Sequence, residues 1–323
     1  MDKLAIGVDL GGTKIAAMVT RPDGTIVGRD RKRTVLADDP AQAAGRMRET
    51  AEKALAAAAA TWKDVGTVGI AVPSPVDPAS GDMLNAPNLG WRGVPARQVF
   101  AKAFDREVFL ENDVNCGVLA EHHFGAAKGC ANVVAFFVGT GLGGGIVIDG
   151  KLYRGRRGLA GELGHMVVEF DGRSCACGNC GCLEAYCSKT AFGRQFRRLI
   201  GRKGKKSDLT DYVGNELDNV RSKYLAKAYR NGDKIVCKVL NEGAEMLGVG
   251  VANLMAILSP DCVVLGGGVI TALGPELLPF VRKGMAENLF AISPDDVVIK
   301  LSELGDDAVA AGAALVGRRR GAN

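Results

Sequence analysis

The sequence lacks several features that would assign the protein to a class at once. No uninterrupted apolar run reaches the roughly 18 to 20 residues of a membrane-spanning helix, although 47% of the 323 residues are apolar. Charge of one sign is also missing. The 41 basic and 36 acidic residues leave a net charge of +5, too little for the field that draws nucleic acid or an acidic membrane surface. Short basic runs at 29–33, 202–206 and 318–320 read as solvated surface. The opening "MDKLAIGVDLGG" has an acid at Asp2 and a glycine turn after a few apolar residues, unlike a secretory signal. These absences predict a soluble, cytoplasmic protein with no nucleic-acid or membrane partner. There is no GxxxxGK[ST] loop either, and the first glycine turn leads into a strand, not into the helix of a dinucleotide fingerprint.

What is present is a repeated pattern. The length and apolar content allow two domains, or one that is duplicated. "KLAIGVDL", a glycine turn and "KIAAMVT" read as two strands, and "PDG" turns into a third, "TIVGRD". Residues 40–61 have strong helix propensity, followed by the buried strand "VGTVGIAV" and by a further strand, "REVFLEND", that leads into helical composition. "NVVAFFVGTGLGGGIVIDG" then repeats strand, glycine turn and strand, roughly 130 residues on, as a duplicated nucleotide-binding half would. Residues 183–200 look helical, 201–233 polar and glycine-spaced, as loop and short helix, and 234–258 a long helix. The strand "CVVLGGG" precedes a helix expected from about Gly274, and a last strand and an alanine-rich helix from Ala308 follow. The alternation predicts an α/β protein.

Three glycine turns and one carboxylate cluster are the candidate chemistry. "DLGGTK" offers Asp9 at a strand end, Gly11 and Gly12 where backbone amides can approach a phosphate, and Thr13 and Lys14 beyond them. A hairpin also wants glycine, so a structural turn is the competing reading. "GTGLGGG" sets Thr140 between Gly139 and Gly141, with Gly143 following; two such hairpins at duplicated positions are harder to ascribe to chance. Gly266, Gly267 and Gly268 end a strand before a helix, where α/β sheets form ligand crevices, or where a plain turn suffices. In "END", Asp113 is placed to accept a proton and Asn112 to hold a substrate hydroxyl, the alternative being a helix cap at Asp113 or Asn115.

Four of the nine cysteines fall within "SCACGNCGC". In a reducing compartment such clusters serve as metal ligands or redox pairs more often than as disulfides. Zinc takes four ligands, and five candidates are at hand: His165, Cys175, Cys177, Cys180 and Cys182. Cys177 and Cys180 have the CxxC spacing of a redox pair, without a thioredoxin-like context.

Together, "VDLGGTK", "PNLGW", "LENDVN", "GTGLGGG", "GELGH", "CACGNCGCLE" and "LGGGV" resemble the ROK family of sugar kinases, within the actin-like ATPase and hexokinase superfamily. The resemblance covers essentially the whole chain. It implies a two-lobed α/β fold of the actin-like (ribonuclease H-like) type, with a duplicated core and a central cleft. The implied lobes are residues 1–115, with a C-terminal helix at about 306–323 packing back on them, and residues 116–305. By the resemblance, residues 9–14 and 139–143 hold the phosphates of ATP, Asp9 lies near Mg²⁺, and residues 266–268 border the adenosine. Asp113 is the implied general base, and Asn88, Asn112, Glu162, His165 and Glu184 the implied sugar ligands. Structural Zn²⁺ falls to His165, Cys175, Cys177 and Cys182, with Cys180 at a variable position. Trp91 is expected in the core.

The expected activity is phosphoryl transfer from ATP to the 6-hydroxyl of a hexose, glucose first, by a chain that forms a homodimer. An N-acetylhexosamine kinase shares these motifs. The family's repressors carry an additional DNA-binding region, which is expected to be missing here. An actin-like scaffold would leave "GELGH" and "GCLE" unexplained.

Overall fold

The N-terminal apolar run folds back on itself through its glycine turn. The computed structural model describes residues 3–34, 39–218 and 220–321. Strand β1 (Leu4–Leu10) pairs antiparallel with β2 (Lys14–Thr20), and β2 with β3 (Ile26–Arg33). Helix α1 (Pro40–Ala57) starts at a proline whose predecessor, Asp39, accepts the amide of Ala41, a strong start signal. It ends short of residue 61, because Ala59 turns left-handed at φ 50°. Strand β4 (Val65–Val72) lies parallel to β1. A small hairpin, β5 (Met83–Ala86) with β6 (Trp91–Val94), and helix α2 (Ala96–Phe104) come next. Strand β7 (Phe109–Asn112) pairs parallel with β4 and runs straight into α3 (Asp113–Phe124). The sheet order is β3-β2-β1-β4-β7.

The second half repeats this plan. Strand β8 (Val133–Val138) pairs antiparallel with β9 (Leu142–Ile148), followed by the two-residue β10 (Lys151–Leu152). After 3-10 turns at Leu163–His165 and Leu183–Ala185, helix α4 (Lys189–Phe196) runs into a π turn (Arg197–Arg202). Then come α5 (Leu209–Val213), α6 (Ser222–Arg230) and the long α7 (Lys234–Leu258). Strand β11 (Cys262–Gly266) lies parallel to β8, and α8 (Gly267–Ala286) leads to β12 (Ile299–Leu301), parallel to β11. Helix α9 (Ala308–Gly321) follows; Ala322 and Asn323 lie outside the described residues. The order β10-β9-β8-β11-β12 matches the first sheet strand for strand, so the sequence repeat is a repeat of topology.

The chain divides into two compact units, Met1–Lys128 with Leu152–Ala160 and Asp306–Asn323, and Gly129–Lys151 with Gly161–Gly305. The first unit extends past residue 115 because α3 packs on α9 at backbone contact: a Cβ at Gly312 would lie 1.8 Å from the Cys116 carbonyl oxygen. Helix α9 also lies on the first sheet. A Cβ at Gly7 or Gly69 would come within 1.8 Å of the carbonyl oxygens of Ala310 or Ala313. On the opposite face of this sheet Ile6, Val8, Leu10 and Ile70 are buried with Met47 of α1 and Phe100 and Phe104 of α2, and Trp91 joins the same core. The second core gathers Phe136, Phe192, Phe196, Leu240, Leu247, Val263 and Leu265. Each such side chain contributes about 1.5–3 kcal/mol by leaving water. No helix among the described residues is long and apolar enough to cross a membrane.

Two departures from the sequence reading have identifiable causes. The expected helix over 183–200 breaks at Ser188, whose Oγ donates to the Glu184 carbonyl and accepts the Ala191 amide, so a new helix is capped there. Helix α8 begins at Gly267, not at about Gly274, and contains Pro275 and Pro279. Packing on α7 overrides the local signal: Cβ atoms at Gly248 and Gly284 would meet the carbonyl oxygens of Val281 and Glu245 at 2.1 and 2.0 Å.

Candidate active site

In the first unit, parallel pairing brings carboxylates to one edge of the sheet. Asp9 is opposite Ala71, and Ala71 opposite Glu111, so both acids occupy one row at the C-terminal ends of parallel strands, where α/β sheets receive ligands. Asp113 follows as the first residue of α3. Asp9 is 8% exposed, and its carboxyl is pushed up to about 7. Burial is the largest cause and the Asp113 charge the next, with Lys14 opposing them and Asp306 adding to them. Lys14 is shared with Asp306 at 3.4 Å. Two carboxylates that feel one another in a desolvated place favour a cation beside them.

Asn112 is the cap of α3. Its Oδ1 accepts the amides of Val114 (2.9 Å) and Asn115 (3.1 Å), and its Nδ2 donates to Asp113 Oδ1 (3.1 Å) and the Ser74 carbonyl (3.4 Å). The cap expected at Asp113 or Asn115 therefore sits one residue earlier than the first of these. Asp113 Oδ1 also accepts the Val114 amide at 2.8 Å, which fixes the carboxylate at the helix N-terminus. Behind it, buried Glu111 accepts from Asn115 Nδ2 (3.0 Å) and forms an ion pair with Arg154. Arg154 carried no sequence signal, because its position by the strand end is a product of the fold.

The first glycine turn exposes amides and hides carbonyls. Gly11 N–H donates to the Lys14 carbonyl (2.9 Å), Thr34 N–H to that of Thr13 (2.9 Å) and Thr34 Oγ1 to that of Gly11 (2.7 Å). Among the described residues, the Gly12 and Thr13 amides donate to no protein group. Asn88, exposed in the turn between β5 and β6, lies beside them; a Cβ at Gly12 would be 3.6 Å from its Cβ.

In the second unit the same arrangement recurs at residues 139–142. Gly139 N–H donates to the Gly141 carbonyl (2.9 Å), and Lys189 N–H to that of Gly139 (3.0 Å). The Thr140 carbonyl accepts both Thr190 N–H (3.2 Å) and Thr190 Oγ1 (2.9 Å). Glu184 Oε2 takes the Leu142 amide at 2.8 Å. The Thr140 and Gly141 amides are left without a protein acceptor among the described residues. Gly143 lies inside β9, opposite Phe137, beyond the turn itself. Gly144 of the run serves packing: a Cβ there would strike Leu163 at 2.4 Å, and from the facing turn a Cβ at Gly164 would meet the Leu142 carbonyl oxygen at 2.0 Å. These approaches lay the Leu163–His165 turn on β9. Glu162 and Glu184 thereby come close enough to interact, and burial, partly offset by His165, holds the Glu162 carboxyl above its ordinary range. Gly267, at φ 85°, lies against the backbone of Val138, just before the turn, whereas Gly268 faces Ser222 Oγ.

The cysteine loop is folded tightly by its glycines. Gly178 and Gly181 take φ of 100° and 78°, and a Cβ at Gly181 would lie 1.8 Å from the Glu169 carbonyl oxygen. Tyr186 closes the base. Its hydroxyl donates to Glu169 Oε2 and accepts the Arg173 amide, while the Arg173 guanidinium lies 4.6 Å from the ring centre. The ligand atoms of His165, Cys175, Cys177 and Cys182 all fall within 4.8 Å of one another. Cys175 Sγ is 3.8 Å from His165 Nδ1, and the sulfurs of Cys177 and Cys182 are 3.7 Å apart. A tetrahedron with zinc–sulfur bonds of about 2.3 Å has edges of about 3.8 Å, so the donor set fits zinc in kind and in spacing. Burial first, and crowding by Cys177 and Cys175 next, push the Cys182 thiol up to about 12, a state that a coordinated cation relieves. Cys180 is exposed and outside the four, and Cys177 meets Cys182 and not its CxxC partner.

Known proteins match this chain over nearly all of its length. A glucokinase from Thermotoga maritima is 34% identical over 316 residues, covering 98% of this chain and 97% of that one. The xylose repressor of Caldicellulosiruptor bescii is 32% identical over 309 residues, 95% of this chain and 76% of the repressor. Among solved structures, a ROK family glucokinase from Streptomyces griseus, determined with glucose and AMPPNP, superposes with a TM-score of 0.83 at 32% identity, over 98% of this chain and 99% of that one. The repeated sheet order is thus that of the actin-like ATPase fold. The ROK family model matches residues 5–320; the chain belongs to the ROK family.

Proposed function

We propose that the protein is an ATP-dependent hexose kinase that phosphorylates glucose at its 6-hydroxyl. The observation that carries this reading is the closeness of Asp9 and Asp113 at one sheet edge, beside a turn whose Gly12 and Thr13 amides donate to no protein group among the described residues. Phosphoryl transfer needs those parts. One carboxylate faces the cation that accompanies the nucleotide, another accepts the proton of the attacking hydroxyl, and fixed dipoles balance the phosphate charge. In this reading Asp113 is the base, held by the Val114 amide and Asn112, and Asp9 faces Mg²⁺. Residues 11–14 and 139–142 cradle phosphate, residues 266–268 border the adenosine, and Glu162, His165, Glu184 and Asn88 meet sugar hydroxyls. Asn112, engaged as a cap, positions Asp113 more than it meets the sugar.

Zinc held by His165, Cys175, Cys177 and Cys182 would supply a cross-link and no redox chemistry. His165 would present Nδ1 to the metal side, and its other ring nitrogen would face the sugar.

Likeness to the Thermotoga and Streptomyces glucokinases supports a kinase. Likeness to the xylose repressor supports a second reading, a sugar-responsive regulator. Coupled ADP release separates the two, screened with glucose, mannose, fructose, allose and N-acetylated hexosamines. Turnover with glucose ahead of the others is the expected result. Sugar binding without any ADP formation would favour the regulator, and a preference for an acetylated sugar would move the assignment to an N-acetylhexosamine kinase.

A further inference from the structure

Both glycine turns are braced in the same way, by a threonine that belongs to neither. In the first unit Thr34, just beyond β3, donates its hydroxyl to the Gly11 carbonyl at 2.7 Å and its amide to the Thr13 carbonyl at 2.9 Å. In the second unit Thr190, on the first turn of α4, donates its hydroxyl and its amide to the Thr140 carbonyl at 2.9 and 3.2 Å. The two threonines lie on unrelated elements, a loop after an edge strand and a helix start. The bracing is therefore not a by-product of the repeated sheet order.

The consequence follows from peptide geometry. A trans peptide is planar, and its C=O and N–H point in opposite directions. Holding the Gly11 oxygen fixes where the Gly12 N–H points, and holding the Thr140 oxygen fixes the Gly141 N–H. These amides are among those left without a protein acceptor in the described residues. Glycine permits the peptides to flip at little steric cost, and a flipped peptide would present a carbonyl dipole to the anion in place of an N–H. Each threonine hydroxyl opposes that flip.

We propose that Thr34 and Thr190 are positioning residues for the nucleotide phosphates, each locking one turn with its amides outward. The proposal rests on the kinase reading above. It predicts that the hydroxyl, not the bulk of the side chain, is what matters at both positions.

The test uses the full chain, with four variants: Thr34→Val, Thr34→Ser, Thr190→Val and Thr190→Ser. Binding of magnesium and a non-hydrolysable ATP analogue is measured calorimetrically without turnover, glucose binding is measured separately, and steady-state KM and kcat are measured for both substrates. Loss of one neutral hydrogen bond corresponds to about 3- to 10-fold. Each valine variant is expected to weaken nucleotide binding by about that factor and to raise the KM for ATP, with glucose binding unchanged. Each serine variant is expected to stay within about twofold of the parent. Valine variants that bind nucleotide as the parent does would overturn the proposal. So would serine variants as weak as valine, or glucose affinity falling in step, since either would mean general loosening. If the parent chain neither binds nucleotide nor phosphorylates any hexose, the kinase reading itself fails first, and the proposal with it.

Discussion

Glu184 reaches the second glycine turn: its Oε2 accepts the Leu142 amide at 2.8 Å, and a Cβ on Gly141 would lie 2.4 Å from that same oxygen. The carboxylate proposed to meet sugar is thus a neighbour of the turn proposed to meet phosphate. Gly141→Ala should displace Glu184 and impair both substrates together. A displacement on the order of 1 Å can cost about 100-fold, so kcat/KM for glucose and for ATP should both fall by roughly 10- to 100-fold. Steady-state kinetics with each substrate varied in turn checks this. A change confined to ATP would mean that Glu184 yields without consequence for the sugar.

Asp113→Asn keeps the shape of the side chain and the contacts made by its Oδ1, but removes the base. Turnover is expected to drop by about 10² to 10⁴-fold, while glucose binding measured calorimetrically stays close to that of the parent. Near-parental kcat would remove Asp113 from its assigned role.

The carboxyl of Asp9 gives a pH-dependent prediction with a sign opposite to the usual carboxylate case. Its pKa rises from an ordinary 3.8 to about 7 on folding, so between these values the folded chain binds more protons than the unfolded one, and stability falls as pH rises. The penalty is small near pH 4 and complete above pH 7, with an upper bound on the order of 4 kcal/mol. Asp9→Asn should therefore raise the melting temperature at pH 8, without nucleotide or magnesium, and the gain should shrink steadily towards pH 4. Thermal melts across that range decide the matter. An equal gain at both ends would assign the effect to packing and not to charge.

One zinc per chain is expected, retained in Cys180→Ser and lost or severely weakened in Cys182→Ser. Cys182 is fully buried among the four candidate ligand atoms and Cys180 is exposed outside them. Glucose binding should weaken in the second variant only, because His165 belongs to both the cluster and the proposed sugar site. Metal analysis of the purified variants is the measurement, and zinc lost on changing Cys180 alone would contradict the ligand set.

The large features of this fold were legible because their causes are local. Glycine turns flanked by apolar strands announced β1–β2 and β8–β9, and the alanine-rich segment near Ala308 announced α9. The β5–β6 hairpin and α2 were not foreseen, since four-residue strands are too short to show a period. The start of α8 was misread for another reason: glycines and prolines that punctuate a helix in isolation are tolerated where α7 packs against it. The four metal-type ligands could be selected by motif resemblance, but Arg154, Thr34 and Thr190 could not, as each acts on residues far along the chain. Asn112 shows the limit from the other side. Its neighbourhood was read correctly, yet which residue would cap α3 depended on where the strand stopped.

Helix α9 lies on β1 and β4 through glycines that leave no room for a Cβ. Its residues belong to the first unit, although the whole of the second unit precedes them in the chain. During synthesis, the sheet carrying Asp9 must therefore wait with one face uncovered while the second unit emerges and folds. The N-terminal half is thus the last to be completed, and the nascent chain carries an exposed apolar surface for most of its translation. A stop codon falling between Gly305 and Ala308 would leave the second unit whole and the first without its lid, a product suited to chaperone capture and proteolysis and not to partial activity.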